Sequence, residues 1–171
     1  MDKYPTNYNS PLSFALLQTF LYLMDGKELD HEIYEEITGF KKQSYQIIME
    51  HIQNAINDFK MNVYLQRREN KVENRYTVYK TYSYKFLFDD DNFEYTPKED
   101  MTENERKLYL PLFTYLKLRN KVKVSQQTLS IYFPDINSYI FLAVISKLKE
   151  TIGEELYKDH LQSYVIDKIE L

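Results

Sequence analysis

Apolar positions first recur at helical spacing. Leu12, Leu16, Phe20 and Leu23 form one stripe, with Ser10 suited to cap it and Pro11 to begin it. Asp25-Gly26-Lys27 is the turn that ends this helix. A second, short helix is predicted through Ile33, Tyr34 and Ile37, capped by Asp30 and stopped by Gly39. A third follows the turn Gly39–Gln43, with Ser44 as its N-cap and Ile48, Ile52, Ala55, Ile56 and Phe59 on its buried side. After Lys60 the period changes. Val63–Arg68 and Arg75–Tyr82 are rich in aromatic and β-branched residues, and polar Glu69–Asn74 lies between them, which predicts a β-hairpin with a charged tip.

The pattern then recurs. Displaced by 93 positions, Leu17 falls on Leu110, Phe20 on Phe113, Tyr22 on Tyr115 and Leu23 on Leu116. Phe40 falls on Phe133, Ile47 on Ile140, Ile52 on Ile145 and Tyr64 on Tyr157, while Ser44 falls on Asn137, another good cap. A shorter second hairpin would match Tyr76-Thr77-Val78 to Tyr164-Val165-Ile166. Three helices followed by a hairpin is the layout of a winged helix-turn-helix. The expected fold is therefore mainly α with small β-hairpins (α+β), a tandem winged helix-turn-helix. Its expected parts are a flexible tail at 1–9, a first copy at 10–85, an acidic linker at 86–101 and a second copy at 102–171.

Charge changes this picture more than composition does. The net charge is −4, but residues 40–85 carry 9 basic side chains against 4 acids, and residues 107–133 carry 5 and no acid. The acids concentrate in residues 1–39 (7 against 2) and 86–106 (8 against 2). Positive charge gathered on one block allows an acidic protein to meet nucleic acid. Only 3 Gly are present, which disfavours phosphate-cradling loops, and the absence of Cys removes disulfides and thiolate chemistry. The start of the chain lacks a signal-peptide pattern, and the apolar run Phe14–Met24 is too short to span a bilayer, so a cytoplasmic protein is expected.

In a winged helix the third helix enters the major groove with its first turn and one exposed face. In the first copy those positions are Ser44, Tyr45, Gln46, Met49, Gln53 and Asn54, preceded by Lys41 and Lys42. Lys41, Lys42, Arg67, Arg68, Lys71 and Arg75 are candidates for phosphate contacts, and Tyr45 for one through its hydroxyl. Gln46 suits an adenine edge, with Gln53 or Asn54 in support. Glu50 opposes DNA unless it meets a cytosine amino group. In the second copy the run Ile140-Phe141-Leu142-Ala143-Val144-Ile145 is apolar all round. Such a helix is expected to be buried. Leu142, Ala143 and Tyr139 are its candidate interface, for a homodimer or for docking onto the first copy.

Residues 14–85 resemble the N-terminal winged-helix domain of bacterial transcription regulators of the WYL-domain kind. The resemblance lies in FLYLMDGKELDHEIYEEI, then a turn, then SYQIIMEHIQNAI and a tyrosine-rich hairpin. It implies a regulator that binds double-stranded DNA. The chain departs from the family at Gln46, where the first turn of the reading helix usually carries Arg. No sensor domain follows, so no small-molecule effector is expected.

Catalysis finds no support in the sequence. His31, His51 and His160 lack metal-ligand spacing, and no nucleophile elbow or P-loop occurs. His51 reads as a partly buried structural histidine, Glu35-Glu36 and Glu154-Glu155 as helix surface, and Asp89–Asn92 as solvated connector rather than a calcium loop. No enzyme, cofactor or metal is expected. The competing function is a protein-binding scaffold, or an inhibitor of a nucleic-acid-binding partner. Convergence of the six cations on one face favours DNA; intrusion of the acids of residues 25–36 favours the scaffold.

Overall fold

The computed structural model describes residues 11–89, 93–120 and 122–153, and these form a mixed α and β structure. Among the described residues there are six α-helices, one 3-10 turn and one antiparallel hairpin. They fall into two compact units, one of Ala15–Lys98 and one that joins the residues up to Phe14 with those from Glu99. The tail at 1–9, the Ser10 cap, Asp90–Asn92 and the second hairpin lie outside the described residues.

Helix α1 (Pro11–Met24) contains no charged residue. Its burial follows from that. Beyond the expected stripe of Leu16, Phe20 and Leu23, the side chains of Ser13, Phe14, Ala15, Leu17 and Thr19 are also buried, as an apolar surface on every side requires. Leu12, placed in the stripe by its spacing, is only half-buried.

Helix α2 (His31–Thr38) begins and ends as its sequence directs. Asp30 Oδ1 accepts from the Ile33 amide at 2.9 Å, and Gly39 closes the helix in the left-handed region at φ 73°. Helix α3 (Tyr45–Asp58) buries Ile48, Met49, Ile52, Ala55 and Ile56. Ser44 does not cap it. A 3-10 turn (Lys42–Ser44) precedes the helix and leaves Ser44 in the αR region, where its hydroxyl turns back to the Lys41 carbonyl at 2.9 Å and meets the Tyr34 hydroxyl at 2.6 Å.

The hairpin is longer than predicted. Strands β1 (Val63–Glu73) and β2 (Val78–Phe88) pair in register from Val63 opposite Phe88 to Glu73 opposite Val78. Glu69–Glu73, predicted as tip, are strand; the tip is Asn74–Thr77, so Arg75 is a tip residue and not a strand residue. Asn74 decides this, because its side-chain oxygen accepts from the Tyr76 amide, the Thr77 amide and the Thr77 hydroxyl at 2.8–3.0 Å. Leu29, between α1 and α2, forms an isolated antiparallel bridge to Tyr84 on the free edge of β2.

The stretch predicted as a linker is partly structural. Phe86, Leu87 and Phe88 belong to β2, and Phe86 is buried edge-on against Phe20 at 5.5 Å. Phe93 packs on Phe20 and Phe88. Sequence charge pointed to solvent, but the aromatic residues between the acids take part in the core of Ala15–Lys98.

In the other unit, α4 (Glu103–Arg119) opens on a capping box between Thr102 and Glu105. Pro111 interrupts its hydrogen-bond ladder and frees the Lys107 carbonyl, which Ser13 Oγ reaches at 2.9 Å. Helix α5 (Gln126–Ser130) is capped by Ser125 and α6 (Ser138–Ile152) by Asn137. Phe113 packs against Phe133 at 5.4 Å, and Ile140, Phe141, Val144, Ile145 and Leu148 complete this core. Helix α6 is not buried all round: Leu142 and Ala143 are half-buried, and Tyr139, Ser146 and Lys147 are exposed. Three helices of 14, 8 and 14 residues in the first part of the chain thus precede three of 17, 5 and 15 in the second.

Candidate nucleic-acid interface

The exposed face of α3 carries Gln46, Ile47, Glu50, Gln53 and Asn54. Lys41 and Lys42 stand exposed on the turn before it, and the Lys42 amide donates to Glu35 Oε1 at 2.8 Å, which ties this turn to α2. A groove of about 250 Å³ separates α3 from the hairpin. Gln46, Glu50 and Gln53 form one wall, Arg67 the other, and Met49, Leu65 and Tyr84 also line it. Met49, read from the sequence as exposed, is buried.

Tyr45 faces the opposite way to the one expected. It is 7% exposed, and its hydroxyl donates between the Tyr82 and Leu29 carbonyls at 3.0 and 3.2 Å. Its ring tilts against Tyr34 at 5.3 Å and meets Tyr84 edge-on at 5.8 Å. Tyr45 therefore pins α3 to α2 and the hairpin, and is not available to a phosphate. The physical reason is position: the first turn of α3 lies where β2 and the Leu29 bridge converge, and a phenol fills that gap while satisfying two carbonyls.

Tyr84 extends the same pin. Gln46 and Arg67 lie beside it around the same groove, and Arg67 stacks over the Tyr82 ring at 4.9 Å. Burial pushes the hydroxyls of Tyr34, Tyr45 and Tyr84 above the usual phenolic range, so all three stay protonated. These tyrosines were invisible as positioning groups in the sequence. The available signal was their density between Tyr34 and Tyr84.

The six cations do not all converge. Successive strand residues point to opposite faces, so Arg67 and Lys71 share one face of β1 while Arg68 lies on the other. Arg68 pairs with Glu28 Oε1 at 3.4 Å, and that same oxygen accepts from Ser83 Oγ at 2.7 Å. An acid of the α1–α2 loop therefore intrudes there. On the Arg67 face, Lys71 and Lys80 stand directly opposite each other across the strands, with Glu69 3.4 Å from Lys80. Directly opposed like charges repel, and an anion between them relieves that repulsion. Lys42 and Lys80 also line a second groove of about 260 Å³, with Tyr79 and Tyr82. Arg75 is at the tip over the ring of Tyr76, which is 85% exposed. Beyond Arg67 the hairpin extends about 20 Å by the rise of a strand.

Of the predicted interface of the second part, Tyr139 is exposed, and Leu142 and Ala143 are half-buried on α6. Among the described residues, no three His, Asp or Glu side chains gather as a metal site, and no helix is long and apolar enough to cross a membrane.

No protein-family model, no curated protein and no solved structure matches this chain.

Proposed function

We propose that the chain binds double-stranded DNA through the groove face of α3 and the hairpin, and acts as a small transcription regulator. In this reading Ala15–Lys98 is a winged helix: α1, the Leu29 bridge, α2, α3 and the hairpin follow one another in that topological order. Residues 103–152 supply the helices of a second copy, and Tyr139, Leu142 and Ala143 are its surface for a second molecule. The observation that carries the reading is the shared groove, which sets Gln46 and Gln53 of the helix against Arg67 of the hairpin. Lys41 and Lys42 on the turn before α3, and Lys71, Lys80 and Arg75 farther along the hairpin, supply the phosphate contacts. Arg68, held by Glu28 on the opposite face, is left out of that set.

Binding to a random duplex pool, measured over a salt series, tests this. The intact protein is expected to weaken steeply with salt. Lys41→Ala/Lys42→Ala is expected to flatten the slope of log K against log salt by about 2, from roughly 0.9 per lost phosphate contact. A protein that binds no duplex at low salt sinks the proposal.

A protein-binding scaffold is the second reading, and it too rests on an observation. Glu28 neutralises Arg68, Glu50 sits in the groove, and Ile47, Tyr64, Tyr76 and Val78 are large exposed apolar groups on the same unit. Failure to bind DNA would favour this second reading.

A further inference from the structure

Among the exposed cations of the hairpin, Arg67 is held differently from the rest. Its guanidinium lies over the Tyr82 ring at 4.9 Å and beside Tyr84, its directly opposed partner in β2. Tyr84 is itself buried, fixed edge-on against Tyr45, and lines the groove with Gln46. An oriented planar fork suits paired hydrogen bonds to a phosphate as well as to guanine O6 and N7, so the groups around the fork decide between them.

The wall opposite Arg67 makes that distinction. Glu50 lies in the groove between Gln46 and Gln53. A carboxylate there repels phosphates, but it accepts a hydrogen bond from the amino group of cytosine. Amides, a carboxylate and an oriented guanidinium are the donors and acceptors that base edges require.

We infer that Arg67 reads a guanine in the major groove rather than clamping a phosphate, and that Tyr84 is the positioning residue that aims its guanidinium. This rests on the duplex-binding reading above. The Tyr82 ring covers one face of the guanidinium and Tyr84 stands opposite its strand position, while the N–H groups at its edge stay available to the base.

The test begins with a duplex selected by the intact protein, followed by every single-pair variant of it. Affinities are measured over a salt series for the intact protein, Arg67→Lys, Arg67→Ala and Tyr84→Phe. One G·C pair is expected to be preferred by the intact protein by roughly 5- to 150-fold, the value of a good bidentate contact. Arg67→Lys keeps the charge and is expected to lose that preference at that pair alone, with the salt slope unchanged. Tyr84→Phe removes no charge and little volume, and is expected to reduce the same preference by a smaller factor while thermal unfolding stays cooperative. Retention of the full preference by Arg67→Lys overturns the inference. So does uniform weakening on all duplexes by Arg67→Ala with a slope lower by about 0.9, since that is how a phosphate clamp behaves. Absence of duplex binding by the intact protein overturns the inference and the duplex reading together.

Discussion

Two single residues show how burial sets the energetic terms of this protein. Thr19 is fully buried in α1, and its hydroxyl has no hydrogen-bond partner. A buried hydroxyl without a partner costs about 1–3 kcal/mol, and valine has the same shape without it. Thr19→Val is expected to stabilise the protein by about 1 kcal/mol in denaturant unfolding; an unchanged or lower midpoint would show that the hydroxyl is satisfied in solution. His51, half-buried on α3, has its pKa lowered from the ordinary 6.5 by desolvation, with Glu50 opposing in part. The folded state thus resists protonation more than the unfolded chain does. Stability from this group is fully present above about pH 6.5 and is lost as pH falls toward the lower, folded value. His51→Gln is expected to flatten the decline of unfolding free energy just below pH 6.5, and an identical pH profile would remove His51 from the account.

At the scale of elements, helix α4 contains its own fault and its repair. Proline in a helix interior removes a donor and costs about 3 kcal/mol. Pro111 leaves the carbonyl of Lys107 open, and Ser13 supplies the missing hydrogen at 2.9 Å. Ser13 itself is buried, so loss of its hydroxyl leaves no easy replacement by water. Ser13→Ala is expected to cost about 1–3 kcal/mol in denaturant unfolding, and Ser13→Ala/Pro111→Ala to cost less than Ser13→Ala alone, because the restored amide at 111 satisfies the carbonyl. Equal losses in the two variants would break this link. The hairpin makes the complementary point. Its tip is placed by three hydrogen bonds to one asparagine side chain, not by where the polar run lies.

For the whole molecule, the order of helices and hairpin was legible because hydrophobic period and capping residues are local properties. Asp30, Gly39, Asn137 and the change of period after Lys60 each act within a few residues. The candidate site was legible only in part. Gln46, Gln53, Lys41 and Lys42 are exposed where helical phase puts them, whereas Ser44 and Tyr45 are held inward by partners far along the chain. Charge counts left open whether the hairpin cations share one face, and alternation along β1 separates Arg67 from Arg68. Once the strand bounds are known, that separation follows from residue numbers alone.

By itself the sequence determined the order of helices and hairpin in the first part of the chain, the ends set by Asp30, Gly39 and Asn137, and the concentration of positive charge on residues 40–85, since all of these follow from spacing and composition. Only the tertiary structure decided which of those charges act together. Glu28 lies far from Arg68 in sequence, yet the Leu29 bridge to Tyr84 brings the α1–α2 loop beside β2 and allows the pair to form. Arg67, one residue earlier, points instead to α3 and meets Tyr82, Tyr84 and the groove. A charge is a property of a residue; what it faces is set by the strand's two-residue period and by which distant segment packs on each side.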